Sequence, residues 1–493
     1  MAEISKYSNP YEYVIERVVI TADRWNEWAA EGYDIKNMIN EISFFESLEN
    51  PFLTANLAFL DNENLGDRFP FQGTERVEIT ILGGDGLDDN GQNFITKRFI
   101  VNKVTNTGKS NDNNEIVLLH LIEERAYQSN LMSVNKIFKA IESRGGFNAG
   151  GFSSTATDII QSLLRELDRY THSGADYFLS NELLFNKNRE PVIDGSLKVI
   201  IPNMGPLEAA KWLCDRCVTT NGFPYYVYAS MGDDKIRFLD LETMLELPSL
   251  NNPGTGLVPY TYSEAIAAKA QTLKPIEKLF LIKSHMYKEN ESQNTYNMLG
   301  LGPATYNFID TFEGTIHVRK HNPGEMFARA KMLGIMNELD IPVYDDKAVF
   351  AGKNIGQYNA ATITNITTSH SQSGISSGLP DDIRGYNECE DGNLHNLKVT
   401  ALGLRTYVHK SGLTITVPGK NFLAKDKNMS ISNKISVEFK KNAMHHRAEN
   451  NEELDIKKSG DYIIHTAKHT FSPAGDGAFS TTLGLIKLGH RRR

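Results

Sequence analysis

Long apolar runs are missing from this chain of 493 residues. None approaches the roughly 18 consecutive apolar residues that a membrane-crossing helix needs. Cysteine is scarce, and 3 thiols cannot build a disulfide scaffold. The opening stretch, MAEISKYSNPYEY, lacks the basic and apolar regions of a signal peptide. The expectation is a protein made in a cytosol that leaves it only as part of something larger. Excess positive charge is missing too. Lys and Arg number 52 against 61 Asp and Glu, a formal charge of −9, so there is no global basic footprint for nucleic acid. Gly and Pro, 38 and 17, follow no period, which excludes a collagen-like chain. With 40% hydrophobic and 23% charged residues the composition is that of folded, multi-domain protein rather than disordered chain.

Signatures of catalysis are equally thin. There is no P-loop, and no G-x-G-x-x-G opens a helix. Leu299-Gly300-Leu301-Gly302-Pro303 comes nearest, but proline stands where the pattern must continue. Gly374-Ile375-Ser376-Ser377-Gly378 matches a nucleophile elbow, yet it lies in a Ser/Gly-rich stretch with no helix after it, so it reads as loop. Cys214 and Cys217 form a C-x-x-C late in a helical segment, where packing in a core outweighs redox or metal chemistry. Zinc would want two further ligands, and Cys389 is the one other thiol. His465 and His469 lie in an alternating, strand-like run, which would hold them about 13 Å apart, too far for one ion. His445 and His446 are adjacent and point apart if extended. No metal site, catalytic residue or cofactor is expected from these patterns.

What the chain does carry is strand-like alternation at both ends. Segments 13–20, 52–60, 75–82, 97–104 and 115–122 are β-branched or aromatic and are separated by polar, glycine-rich breaks. The period changes in 155–170, where Ile159, Ile160, Leu163, Leu164 and Leu167 form a helical stripe. Segment 205–219 reads as a second helix with Pro206 near its start, and 223–229 with 235–241 as a hairpin. Further on, 278–283 reads as a strand, 322–339 as a helix and 364–394 as loop. Strands resume at 397–402, 413–417, 434–439, 461–466 and 481–487.

A faint repeat links the ends. Phe99-Ile100-Val101-Asn102-Lys103-Val104 leads through a polar loop to 116–122. Tyr462-Ile463-Ile464-His465-Thr466-Ala467 leads through a Gly/Pro/Asp loop to 482–486. Either these are two ordinary hairpins, or two copies of one small barrel stand at the ends of the chain. Trp25 and Trp28, three apart, are either a local packing pair or an exposed interface anchor. The terminal His490-Arg491-Arg492-Arg493 is either a solvated end or an electrostatic contact.

The order of these pieces resembles the baseplate central hub protein of contractile-tailed phages of the T-even type. Three stretches carry the resemblance: RFIVNKVTNTGKSNDNNEIVLLHLIEE at 98–124, the helix and aromatic hairpin at 199–246, and SGDYIIHTAKHTFSPAGDGAFSTTLGLIKLG at 459–489. It implies a mainly β fold with an α+β middle: two small similar β-barrels, the second discontinuous, around an α/β domain. The expected divisions are 1–125 for the first barrel, 126–250 for the middle, and 251–287 with 396–489 for the second barrel. Residues 288–395 would be an insertion with a helix and a Ser/Gly-rich loop, and 490–493 a basic tail. The insertion and the long segment 418–458 depart from the family pattern. The resemblance further implies a non-enzymatic homotrimer in the virion tail, assembled in the host cytoplasm. It would join a six-fold tail tube to a three-fold spike around a channel for tape-measure protein and DNA, with baseplate wedge proteins as further contacts. Rival expectations are a tail-associated cell-wall hydrolase, which would need a carboxylate pair or zinc cluster, and a host-receptor-binding module, which would show aromatic loops.

Overall fold

Alternation along the chain decides the strands. In β3 (Thr54–Asp61), Ala55, Leu57 and Phe59 are buried while the residues between them are half-exposed, so one face enters a core. β14 (Ser411–Pro418) does the same with Leu413, Ile415 and Val417, and β15 (Lys434–Phe439) with Ile435, Val437 and Phe439. The computed structural model describes residues 13–22, 32–63, 65, 71–83, 94–111, 114–138, 156–168, 178–179, 192–193, 199–232, 235–251, 258–262, 280–289, 293–310, 315–338, 340–367, 393–419, 431–440, 454–473 and 478–490.

The N-terminal region contains β1 (Tyr13–Thr21), β2 (Ile39–Ser47), β3, β4 (Arg76–Gly83), β5 (Phe94–Asn111) and β6 (Asn114–Glu123). Their order in the sheet is β2-β3-β6-β5-β4-β1, all antiparallel. Five of the six were expected. β2 was not, because INEISFFES mixes polar and aromatic residues without strict alternation. The C-terminal region contains β9 (Tyr260–Tyr262), β10 (Ser284–Glu289), β14, β15, β16 (Gly460–Ser472) and β17 (Ala478–Ile486). Their order is β10-β14-β17-β16-β15-β9. An antiparallel ladder between β2 and β16 fuses the two sets, with the short strand Tyr33–Asp34 beside β1, into one 13-stranded sheet. The protein is therefore mainly β.

Between the two sets lie α1 (Glu124–Asn130), α2 (Ala156–Asp168), α3 (Pro206–Cys214), β7 (Tyr225–Ala229), β8 (Ile236–Asp240) and α4 (Leu241–Glu246). The expected stripe of α2 is buried throughout and packs on Leu207, Ala210 and Leu213 of α3. Pro206 starts α3 at its first turn, where no helical partner is lost. The side chain of Asp240 accepts from Thr243 N at 2.7 Å and so caps α4. Helix α3 is shorter than the expected 205–219: it ends at Cys214, and Cys217 and Val218 are extended.

A second excursion separates β10 from β14. It holds α5 (Gln293–Met298), β11 (Ala304–Asp310), β12 (Thr315–His321), α6 (Pro323–Met332), β13 (Ala361–Thr367) and α7 (Asn393–Tyr407). The segment expected as loop, 364–394, is β13 at 364–367 and α7 from 393, while 368–392 lie outside the described residues. Two further expectations fail. Segment 397–402 is not a strand but the middle of α7: the apolar alternation there coincides with a helical row in which Ala401, Leu404 and Val408 are buried at spacings of three and four. Of the expected strand at 278–283, residues 278–279 lie outside the described residues and 280–283 form only an isolated bridge at Leu281; the strand is β10, from Ser284. The glycine-rich Leu299–Pro303 motif is a turn after α5. Gly300 sits at φ +75°, and a Cβ there would lie 2.2 Å from Ile363 Cδ1, so only glycine fits. Among the described residues no helix is long and apolar enough to cross a membrane.

His321, at the end of β12, is largely buried beside Tyr306. Burial pushes its imidazole down to about 4, against the opposing hydrogen bond with the Leu301 backbone. The unfolded chain then takes up a proton near pH 6.5 that the folded chain refuses until about pH 4. Stability from this residue is full above pH 6.5 and falls as pH drops through that window. We expect the melting temperature to fall between pH 7 and pH 5, and to fall less in His321→Leu. Parallel pH dependences in the two proteins would contradict this placement.

Candidate functional site

The ladder between β2 and β16 is where the two halves meet. Its register runs from Thr466 opposite Ser47 to Phe471 opposite Ile42. The side chains on one face interlock. Glu46 and His469 are both buried, with His469 Nε2 3.0 Å from Glu46 Oε1 and His469 Nδ1 3.2 Å from Thr481 Oγ1. Ser43 and Thr470 hydroxyls meet at 3.2 Å. Phe471 and Phe479 stack with centroids 4.3 Å apart and enter the N-terminal core against Phe44 and Tyr13. In exchange, Leu48, at the end of β2, is buried in the C-terminal core. Each half thus completes the interior of the other.

β16 changes partner in mid-strand. Residues 460–463 pair with β15, while 466–471 pair with β2 on the same edge. The switch coincides with a β-bulge, where Ile464 faces Leu485 and Thr466 faces Gly484, leaving His465 between them. β5 has the same bulge at the corresponding place. There Val101 faces Leu121 and Lys103 faces His120, leaving Asn102 between them. The residue-by-residue match of Phe99–Val104 with Tyr462–Ala467 is therefore also a match of backbone geometry. It extends outward: Ile100 faces Arg76 as Ile463 faces Lys434, and Ile42 faces Leu57 as His285 faces Ile415. The two regions share one strand order and one chain order, and the excursion through α5–α7 falls between the counterparts of β2 and β3. They differ at the outer strand, where β1 is antiparallel to β4 but β9 is parallel to β15.

This correspondence leaves two edges. The second half of β5, beyond the bulge, matches the part of β16 that takes up β2. Among the described residues it pairs only with β6. β10 matches β2 and, among the described residues, ends the sheet on the other side, paired only with β14. Met286 on β10 is 51% exposed.

Behind the junction a charged cluster ties in the remaining elements. Arg405 of α7 reaches Glu49 (Nε to Oε1, 3.6 Å) and Asp215 (Nη1 to Oδ1, 2.5 Å), donates to Tyr225 O, and lies over the Tyr226 ring. Lys211 Nζ donates to Glu49 O. His409 and His465 stand ring edge to ring face beside Glu49, with centroids 4.5 Å apart. Burial would raise the Glu49 carboxyl, but His465 and Arg405 beside it bring it below the ordinary carboxylate value. Burial, with His465 and Arg405 adding to it, holds the His409 imidazole down near 4.

Of the residues singled out from sequence, Trp25, Trp28, Arg491, Arg492 and Arg493 lie outside the described residues, as do Gly374–Gly378, His445 and His446. His490 is not a loose end: its Nε2 meets Ser411 Oγ at 3.0 Å, its Nδ1 meets Lys457 O at 3.1 Å, and its backbone pairs with Ile341. Cys214 and Cys217 are buried, the Cys217 thiol donates to Leu213 O at 3.3 Å, and burial pushes both thiols up. His465 and His469 share a strand, as expected. The grouping of His465 with Glu49 and His409 was not anticipated, because the three lie in segments far apart in sequence.

No family model and no curated protein matches this chain. Among solved structures it is similar to a tail protein from Neisseria meningitidis MC58, at 11% identity and a TM-score of 0.45, over 97% of each chain. It is similar, too, to the 43 kDa tail protein of prophage MuSo2 from Shewanella oneidensis, at 10% identity and 0.45, over 96% of this chain and 98% of that one. A component of the Escherichia coli type VI secretion system, described as resembling phage tail proteins, matches at 10% identity and 0.37, over 92% and 76%. Likeness of this degree carries no inference about what the chain binds.

Removing one member of a buried hydrogen-bonded pair takes a partner from the other. His469→Leu should lower stability by about 1–3 kcal/mol, and the double change Glu46→Leu/His469→Leu should recover part of that loss. Urea unfolding followed by tryptophan fluorescence measures both; a His469→Leu midpoint equal to that of the parent protein would refute the pairing.

Proposed function

We propose that this chain is a non-enzymatic structural protein of a phage tail or related injection device: the homotrimeric central hub of a baseplate. The repeated strand order carries the proposal. Two units of one topology are joined edge to edge inside the chain, and the outer edges left at each end have the same two shapes as the edges already joined. Adding the β10 edge of one copy to the outer half of β5 in the next repeats the internal junction between copies, a heterologous contact that generates a ring when its rotation closes. Three chains then present six similar units. Such a ring adapts a six-fold tube above to a three-fold spike below, and its channel passes tape-measure protein and then DNA. The net charge of −9 suits a lumen to which passing DNA does not stick. On this reading 1–125 and the discontinuous 251–287 with 396–489 are the two barrel-like domains, 126–250 the middle domain, and 288–395 an insertion free to meet neighbouring baseplate proteins. Trp25, Trp28 and the basic end at His490–Arg493 are kept as interface candidates.

The internal register dictates the external one. Lys468 faces Phe45 within the chain, and their counterparts are Thr105 and Lys288. Opposed residues on antiparallel strands lie about 4.5–5.5 Å apart, within disulfide range. Thr105→Cys/Lys288→Cys should therefore form reducible cross-links between chains that neither single variant forms. In native mass spectrometry the unmodified 55.2 kDa chain should appear as a species of about three times that mass, stable to dilution. A chain that stays monomeric when concentrated and yields no cross-linked product refutes the ring.

A further inference from the structure

We propose that Glu49, His409 and His465 form a binding site for a divalent cation of the zinc class. The site does not depend on the hub reading. One ligand atom from each of the three residues falls within 4.8 Å of the others. His465 Nε2 is 3.8 Å from Glu49 Oε1, too long for a hydrogen bond. Around a tetrahedral zinc with ligands near 2.1 Å, donor atoms stand about 3.4 Å apart, so modest side-chain rotations close the set. Two imidazoles and a carboxylate are a donor set that zinc and its neighbours favour over magnesium or calcium.

The second observation is the state of His465. Its residue is 8% exposed, and its Nε2 is buried without a hydrogen-bond partner. A buried polar atom with no partner costs free energy, which a bound cation would offset. The β-bulge in β16 is what turns this side chain toward Glu49 and His409. The corresponding bulge residue in the N-terminal unit is Asn102, which is exposed. Burial at this bulge is thus not a requirement of the repeated geometry.

Arg405 is the opposing feature, since its Nε is 3.6 Å from Glu49 Oε1. Its other nitrogens are held by Asp215 and the Tyr225 carbonyl, so it need not be displaced. It would orient the carboxylate from behind, as outer-shell partners of metal ligands do, while its charge weakens affinity relative to a closed structural site. Three protein ligands leave one position for water. A bound ion would connect the end of β2, the turn after α7 and the bulge of β16, all around the ladder that unites the two halves.

The test uses the full chain, stripped with chelator, dialysed against zinc sulfate and washed. Elemental analysis should find one zinc per chain, with a melting temperature several degrees above that of the chelated protein. Cobalt(II) should give the intense visible bands of a four-coordinate site, and magnesium should do neither. His409→Ala and His465→Ala should lose the zinc and the stabilisation. Comparing all proteins in chelator separates loss of the site from loss of the fold, and His409→Gln serves as a second variant if His409→Ala does not fold. Less than about a tenth of an equivalent of zinc in the parent protein overturns the proposal and leaves Glu49 as the counter-ion of Arg405 alone. Zinc that persists in both histidine variants overturns it too, by assigning the metal to other histidines.

Discussion

Everything in this fold depends on six residues of β16 lying antiparallel to six residues of β2. That ladder joins strands more than 400 positions apart in the chain, so its loop-closure cost is large and falls before its contacts are made. The contacts that offset it are not confined to backbone hydrogen bonds. Phe471 and Phe479 leave their own unit for the core of the other, Leu48 travels the opposite way, and Glu46 with His469 fills the polar space between. Neither half closes its interior alone. The junction is better described as a core shared between two units than as a surface between two finished ones.

The shared core also fixes where the rest of the chain can go. Glu49, directly after β2, sits within reach of Arg405 from the excursion before β14, while Arg405 also reaches Asp215 and Tyr225 from the α+β middle. Three parts of the chain thus converge behind one ladder. The long excursion between β10 and β14 begins and ends on adjacent antiparallel strands, so it is accommodated with no change in strand order. Insertions are tolerated at such a place because the cost of a longer loop grows only slowly with its length.

Much of this was legible in the sequence, and the failures have physical causes. The N-terminal strands, α2, and the hairpins β7–β8 and β16–β17 announce themselves by period, and the repeat of Phe99–Val104 in Tyr462–Ala467 proved to be a repeat of register down to its bulge. β2 was hidden because both its edges are covered in the sheet and its buried residues include Ser43 and Glu46, which no apolar pattern reveals. The middle of α7 was misread because a short apolar alternation fits either period, and length alone arbitrates. The Glu49–His409–His465 cluster was invisible for a different reason: it is made by tertiary closure, and HxxxH spacing on one strand pointed away from metal chemistry while the real neighbours lay elsewhere. No local signal in the sequence could have brought residues 49, 409 and 465 together.

The edges pose the last problem. A sheet that ends in unpaired strands invites other chains, and proteins ordinarily blunt such ends with short strands, prolines or charge. Here the outer half of β5 contains no proline, though it carries Lys103, Lys109 and two further register shifts, and it has a near relative inside the same molecule that does pair. β10 is its complement and carries an exposed methionine. Two different edges stand at opposite ends of one sheet, and joining them head to tail either closes or grows without limit. What selects closure is the angle at each junction, and that angle is already set once within the chain, by the ladder of β2 on β16. If the external junction copies the internal one, the rotation per unit is constant and the number of units in the ring follows from it. The duplication is then more than an economy of design. It lets a single folded chain carry the specification for its own assembly.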